Sequence, residues 1–119
     1  MKHSTEFEML VDDAKGRIKE VSVAETVRRT AGGAVFVDVR EDDEWRAGHA
    51  GGAVHLGRGV IERDVVDKFP DKSSELILYC GGGYRSALAA DNLQKMGYTN
   101  VFSMAGGWWA WKEAEEPVE

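Results

Sequence analysis

Apolar residues along this chain follow two patterns: short continuous runs, and longer stretches in which they recur every three or four positions. Residues 34–37 and 76–79 are continuous runs of branched and aromatic side chains. A run of this kind is typical of a parallel strand that is covered on both faces. Shorter strands are predicted at residues 18–21, 53–56 and 101–104.

The stretches between these strands predict helices. In the first, Thr5 and Glu8 form a capping box, apolar residues follow at helical spacing, and Gly16 ends the helix. The inward-facing positions of this helix are expected to be Phe7, Leu10, Val11 and Ala14. Further helices are predicted at residues 23–31, 41–47, 60–69, 86–96 and 107–114. Because helices alternate with strands, the expected fold class is α/β: three layers, with a central, mainly parallel five-stranded sheet and helices on both faces.

Length and charge narrow the range of partners. The 119 residues suffice for one domain, and their net charge is −6. An acidic protein does not attract nucleic acid non-specifically, because that binding needs a basic field. No apolar run approaches the roughly 18 residues of a membrane span, and the start does not resemble a signal peptide. We therefore expect a cytoplasmic protein that binds neither nucleic acid nor membrane. The acidic tail, expected to be solvated, contains Glu113, Glu115, Glu116 and Glu119.

The chain contains one cysteine and three histidines. A single cysteine forms no disulfide within the chain, as expected in a reducing compartment, and it excludes a multi-thiolate zinc or iron–sulfur site in one chain. The spacing of His3, His49 and His55 fits no common metal-binding pattern. We therefore expect neither a metal nor another bound cofactor.

The most informative segment follows the strand at residues 76–79. Cys80 leads into Gly81-Gly82-Gly83-Tyr84-Arg85, and a helix is predicted to begin at Ser86. A glycine-rich loop before a helix turns several backbone N–H groups inward and forms a site for an anion. These amides, the helix dipole and Arg85 are expected to stabilise the Cys80 thiolate. A lone cysteine is usually a small buried hydrophobe, but this arrangement favours a reactive one.

Four segments, in the same order along the chain, resemble those of the rhodanese family: residues 36–40, 44–53, 80–86 and 105–111. They match the family's strand ending in Asp-Val-Arg, its segment containing Gly-His, its cysteine loop ending in Arg-Ser, and its closing Gly-Gly and tryptophan segment. The similarity extends over residues 18–114. Ala50 stands where the family usually has isoleucine, and Gly51-Gly52 loosens the following turn; both departures affect packing more than chemistry.

The resemblance implies a rhodanese-like fold and a sulfurtransferase in which Cys80 carries sulfur as a persulfide. The donor would be thiosulfate or a similar small anion, and the acceptor would be a thiol, cyanide or a partner protein. The terminal sulfur would accept N–H bonds from the loop residues Gly81, Gly82, Gly83, Tyr84, Arg85 and Ser86. A polar brace around this loop would consist of Asp38, Arg40, Glu44 and His49. Arg58 and Arg63 follow the third strand, where we expect them to attract an anionic donor.

Three other functions stay open at this point: a partner-specific persulfide relay, a non-catalytic binding module of the same fold, and phosphate or arsenate chemistry. The presence of Cys80 disfavours the binding module. Four residues separate Cys80 from Arg85, whereas the loops of cysteine-based phosphatases are one residue longer, so the loop length favours sulfur over phosphorus. The sequence does not identify the physiological donor, the acceptor or the oligomeric state.

Residues 1–17 form an N-terminal helical extension before the single domain at residues 18–119. The helix of this extension lies outside the resemblance, and we expect it to cap the sheet rather than to contact a partner. Trp108, Trp109 and Trp111 are spaced too closely to share one helix face. We expect Trp111 in the core and another of the three beside the crevice.

Overall fold

The computed structural model describes residues 3–119. Each predicted helix and strand is present, with ends shifted by no more than two residues. The helices are α1 (Thr5–Lys15), α2 (Val23–Ala31), α3 (Asp42–Ala47), α4 (Ile61–Lys68), α5 (Tyr84–Lys95) and α6 (Gly107–Glu113). The strands are β1 (Lys19–Val21), β2 (Val35–Asp38), β3 (Val54–His55), β4 (Leu76–Tyr79) and β5 (Val101–Met104). None of the helices in the described range combines the length and the apolar character of a membrane span.

The five strands form one sheet in the order β1-β5-β4-β2-β3, and all strand pairs are parallel. The central strand β4 is buried at every position, as its continuous apolar run predicted. Its last residue, Tyr79, lies opposite Asp38 of β2. The carboxyl ends of β2 and β4 are therefore neighbours, and ligands of open parallel sheets bind at that edge.

Helices cover both faces of the sheet, which confirms the predicted three-layer α/β architecture. Leu76 and Leu78 of β4 point to one face and pack with buried residues of α4 and α5. Ile77 and Tyr79 point to the other face, where α2 and α6 cover them. Trp111 of α6 is buried there, as predicted.

The N-terminal helix packs against another helix instead of capping the sheet. α1 contacts α5, and α5 in turn contacts β4 and β5. Val11 and Ala14 are buried in this contact as predicted, whereas Leu10 is 56% exposed. The expectation for Leu10 was wrong because α1 covers one helix, which needs a narrower apolar stripe than a sheet does.

The end of the chain is held by backbone hydrogen bonds. Ala50 and Val118 form an antiparallel bridge, in which Gly51 N–H donates to the Pro117 carbonyl oxygen (2.8 Å) and His49 N–H to that of Glu119 (3.0 Å). The side chains of Glu113, Glu115 and Glu119 are exposed, as expected for a solvated acidic tail. The backbone of residues 117–119 departs from that expectation because residues 49–51 supply it with partners.

Candidate active site

Cys80 occupies the first position after β4, with its side chain facing the amino end of α5. The backbone N–H of Gly83 donates to the Cys80 Sγ atom at 3.1 Å. Gly83 has a φ of 96°, in the left-handed region that favours glycine. The helix begins at Tyr84, two residues earlier than predicted, because this left-handed glycine already turns the chain into the helix. Its amino end, the positive end of its dipole, therefore points at the sulfur.

Two backbone hydrogen bonds join the amino end of α6 to the cysteine loop. Trp108 N–H donates to the Cys80 carbonyl oxygen at 2.7 Å, and Trp109 N–H to that of Gly81 at 3.2 Å. Gly107 has a φ of 53°, and a Cβ atom there would collide with the Cys80 carbonyl oxygen. The Gly-Gly-Trp segment was identified only by resemblance; its physical reason is this close approach of two backbones.

A buried pair of serines lies behind the sulfur. Ser86 Oγ is 3.5 Å from Cys80 Sγ and 2.8 Å from Ser103 Oγ of β5. Ser103 was missed by the sequence analysis. The signal was present, since a serine in an otherwise apolar buried strand needs a hydrogen-bond partner. The register of β5 beside β4 places Ser103 opposite Leu78, on the face that α5 covers, and Ser86 of α5 is that partner.

Arg85 and Glu44 form an ion pair at the rim of the site, which we call the loop pair. The Arg85 guanidinium donates from Nη1 and Nη2 to Oε1 and Oε2 of Glu44 at 2.7 and 3.2 Å. The Arg85 hydrogen bond holds the pKa of Glu44 below its usual value. The same bond, with a smaller contribution from the charge of Cys80, raises the pKa of Arg85. Arg85 is therefore a fixed positive charge next to the sulfur.

Asp38 and Arg40 form a second ion pair, which we call the internal pair. Both residues are buried, and Arg40 Nε and Nη2 donate to the Asp38 carboxylate at 2.8–3.1 Å. The Tyr79 hydroxyl donates to Asp38 Oδ2 at 2.6 Å and accepts the Ala50 N–H at 3.0 Å. The pKa of Arg40 is raised: burial alone would lower it, but the hydrogen bonds and the charge of Asp38 outweigh the effect of burial. Burial raises the pKa of Tyr79.

The internal pair is connected to the cysteine loop through two neighbouring residues. Tyr79 immediately precedes Cys80. The Arg40 guanidinium lies 4.7 Å from the ring centre of Trp108, whose backbone N–H donates to the Cys80 carbonyl oxygen. Of the predicted brace, Glu44 alone hydrogen-bonds through its side chain to a residue of the loop, and Asp38 and Arg40 form a separate cluster.

His49 lies apart from the loop. Its Nδ1 atom is 3.0 Å from the Trp45 carbonyl oxygen, and its ring stacks on that of Trp45 with centres 3.4 Å apart. Its Nε2 atom is 3.8 Å from the Glu119 carboxylate. His49 thus helps to hold α3 and the last residues of the chain, and the structure does not bring it to Cys80.

Arg58 and Arg63 are paired with nearby carboxylates. Arg58 Nη1 donates to Glu62 at 2.8 Å, and Arg63 Nε donates to Asp64 at 2.7 Å. Neither arginine is among the described residues that line the cavity at Cys80. Attraction of a donor by either residue therefore stays a prediction, and direct contact with the reacting sulfur is not supported.

A cavity of about 410 Å³ opens above Cys80. The residues that line it are His3, Phe7, Glu44, Cys80, Gly82, Tyr84 and Arg85. A neighbouring crevice shares five of these residues and extends to Trp109, the exposed tryptophan of α6. Tyr84, predicted in the middle of the loop, lies instead in the first turn of α5 and lines both spaces. The contribution of His3 and Phe7 was missed, because no local pattern shows where α1 docks.

Proteins similar to this chain are known both by sequence and by structure. A sequence model described as the rhodanese-like domain matches residues 22–114. Thiosulfate sulfurtransferase GlpE from Haemophilus influenzae is 33% identical over 101 residues, which are 85% of this chain and 94% of that protein. The first of the similar solved structures is a Rhodopseudomonas palustris protein of unknown function, described as a possible tyrosine phosphatase. It has a TM-score of 0.81 and 27% identity and covers 100% of this chain and 99% of its own.

A second solved structure supports the fold alone. The polysulfide-sulfur transferase homodimer of Wolinella succinogenes has a TM-score of 0.82 at 24% identity, over 96% of this chain and 87% of its own. The family match extends over most of the chain and includes the cysteine loop, the loop pair and the internal pair. The chain therefore belongs to the rhodanese-like domain family.

Proposed function

We propose that this protein is a cytoplasmic sulfurtransferase that moves sulfane sulfur from thiosulfate or a similar anionic donor to a thiophilic acceptor. The observation that carries the proposal is the position of Cys80: its free thiol lies at the base of a cavity, with the Gly83 N–H directed at Sγ. A nucleophile beside preorganised N–H donors is the arrangement that covalent catalysis with a negatively charged intermediate requires.

In the first half of the reaction, the Cys80 thiolate attacks the outer sulfur of thiosulfate. A new sulfur–sulfur bond forms at Sγ, the sulfur–sulfur bond of the donor breaks, and sulfite leaves with the electron pair. The terminal sulfur of the persulfide then occupies the loop, where the N–H groups between Gly81 and Ser86 are its proposed donors. The reaction consumes no external oxidant or reductant.

In the second half, a nucleophilic acceptor attacks the terminal sulfur, and the electron pair of the broken bond returns to Cys80 Sγ. Arg85 is the fixed positive charge beside this anionic chemistry, and Glu44 sets its orientation. The name and the 33% identity of the Haemophilus influenzae relative support the proposal, because that relative covers most of this chain.

Phosphate-ester hydrolysis is a second candidate, favoured by the description of the Rhodopseudomonas palustris protein. The loop argues against it, since four residues between Cys80 and Arg85 leave less room for a tetrahedral phosphoryl group than the longer phosphatase loop. Incubation with p-nitrophenyl phosphate tests this candidate, and Cys80-dependent release of p-nitrophenol would support it.

The deciding experiment is the intact mass of the protein after incubation with thiosulfate. We expect the wild type to gain one sulfur atom, about 32 Da, that cyanide removes, and Cys80→Ser to gain none. Sulfite should appear in an amount equal to the adduct. If the wild type gains no mass, thiosulfate sulfurtransferase activity is refuted, and a partner-specific relay or a binding module becomes the better explanation.

A further inference from the structure

The cavity above Cys80 has an aromatic wall, defined here as His3, Phe7 and Tyr84. The ring centres of His3 and Phe7 are 5.1 Å apart, those of His3 and Tyr84 4.5 Å, and those of Phe7 and Tyr84 5.9 Å. These distances are in the range of favourable aromatic contacts. Two of the three rings come from residues before the matched domain, which begins at residue 22. The N-terminal extension thus adds a surface to the candidate active site from outside the matched residues.

The extension is fixed firmly enough to hold this surface in place. The N-cap of α1 is Ser4 and not the predicted Thr5; the Ser4 side chain accepts the Phe7 N–H at 3.1 Å, which sets Phe7 in the first turn. At the other end, Arg17 donates from Nε and Nη2 to the Asp91 carboxylate at 3.0 and 2.8 Å, and Asp91 belongs to α5. Because α5 also carries Tyr84, one helix positions the whole wall relative to Cys80.

The size and charge of the cavity point to an organic occupant. Its volume of about 410 Å³ lies within the range of about 300–1,000 Å³ that is usual for organic ligand sites, and far exceeds the volume of a small inorganic anion. Its two oppositely charged side chains, Glu44 and Arg85, neutralise each other in the loop pair. Apart from Cys80 and the loop pair, the side chains that line the cavity are the three aromatic rings, and such rings favour apolar groups and sulfur.

We propose that the aromatic wall selects an organic thiol with an aromatic body as the sulfur acceptor. This inference depends on the proposed persulfide chemistry and names the acceptor class for the second half-reaction. The acceptor thiol loses its proton to solvent, and its sulfur attacks the terminal sulfur of the persulfide. The bond from that sulfur to Cys80 Sγ breaks, the electron pair returns to Sγ, and the acceptor leaves as a persulfide anion. Phe7 acts as a specificity residue, since it contacts the body of the acceptor and not the reacting sulfur.

The test separates the two half-reactions. The protein is loaded with thiosulfate, freed of donor, and discharged with phenylmethanethiol, 2-mercaptoethanol or cyanide, while intact mass follows the loss of the sulfur. We expect the wild type to discharge faster with the aromatic thiol than with the aliphatic one. In Phe7→Ala the ratio of these two rates is expected to fall about tenfold, corresponding to about 1.4 kcal/mol.

Two further variants distinguish selection from a structural role of α1. Phe7→Leu keeps an apolar side chain at this position of α1 but removes the ring, and we expect most of the loss in the rate ratio to persist. Met9→Ala alters an exposed residue of the same helix that does not line the cavity, and it should keep the wild-type ratio. Cyanide discharge reports whether each loaded variant still holds a reactive persulfide.

Each outcome decides a separate point. Equal rate ratios in wild type and Phe7→Ala, with a persulfide that cyanide removes, would overturn the assignment of the acceptor and leave the proposed function intact. The same fall in Met9→Ala as in Phe7→Ala would also overturn it, because the effect would then come from the helix and not from the ring. Failure of the wild type to load would overturn the proposed function and the acceptor role together.

Discussion

The internal pair and the loop pair contain the same chemical groups and differ in their surroundings. Asp38 and Arg40 are buried, and each has a further hydrogen-bond partner. The Tyr79 hydroxyl donates to Asp38, and Arg40 donates to the Gly48 carbonyl oxygen. In the loop pair, about a third of each side chain is exposed, and both residues line the cavity at Cys80. An ion pair that is enclosed on every side contributes to the fold, whereas one that borders a cavity remains available to a substrate.

The difference follows from the position of each pair relative to the sheet. The internal pair begins at the last residue of β2, beneath α6 and beside Tyr79, where water is excluded. Glu44 lies on the short helix α3, beyond the edge of the sheet, and reaches across to Arg85 in the first turn of α5. Substitutions in the internal pair should therefore mainly change the free energy of unfolding. Substitutions in the loop pair should mainly change the rate of sulfur transfer.

The largest expected effect is the loss of stability when the internal pair is broken. Asp38→Asn leaves the Arg40 charge buried without a counter-charge, which typically costs about 3–5 kcal/mol, or more than a hundredfold in the unfolding equilibrium. Urea denaturation measures this loss. The matched control is Arg63→Ala, which removes an exposed partner of Asp64 and should change the free energy of unfolding by less than about 1 kcal/mol. Similar values for the two variants would contradict a special contribution of the buried pair to stability.

For the loop pair, Glu44→Gln should mainly affect sulfur transfer. Without the carboxylate, Arg85 loses its bidentate partner and its orientation, and we expect the rate of Cys80 persulfide formation to fall about tenfold. The free energy of unfolding should change by no more than about 1 kcal/mol, because the pair is partly solvated. Stopped incubations followed by intact mass give the rate. A stability loss as large as that of Asp38→Asn, with an unchanged rate, would reverse the two roles.

The smallest expected effect is the dependence of the free energy of unfolding on pH in the acid range. The Arg85 hydrogen bond lowers the pKa of Glu44 in the folded state below its ordinary value of 4.5. The resulting stabilisation is complete above the unfolded-state pKa and is lost as the pH falls through the folded-state pKa. The difference in unfolding free energy between wild type and Glu44→Gln should therefore shrink in acid. Denaturation of both proteins across a pH series measures it, and a difference that stays constant down to the lowest pH would refute the coupling.

Much of the fold was predictable because it depends on local patterns. The continuous apolar run of β4 and the alternation of strands with helices predicted a buried parallel sheet, and the structure confirms it. The loop from Cys80 to Arg85 was recognisable because a nucleophile, three glycines and an arginine occupy consecutive positions. The structure directs the Gly83 N–H at the Cys80 sulfur and places Arg85 at the same cavity, and the catalytic roles of the loop residues remain predictions.

Other features were not predictable because they depend on contacts between distant segments. The division of Asp38, Arg40, Glu44 and His49 into separate clusters follows from where α3 and the end of the chain pack. Ser103 meets Ser86 only through the register of β5 beside β4. Burial distinguishes the internal pair from Arg63–Asp64, although both are arginine–carboxylate neighbours in the sequence.

The sequence by itself determined the order of elements, the parallel sheet and the position of the cysteine loop, because apolar periodicity and glycine conformation act over a few residues. Only the tertiary structure decided which side chains surround Cys80. The docking of α1 on α5 brings His3 and Phe7 to Tyr84, across more than seventy residues of chain. Such a contact depends on the fit between two helix surfaces and on the Arg17–Asp91 ion pair. Helical spacing predicted that Phe7 faces inward, but no local pattern shows that it meets Tyr84.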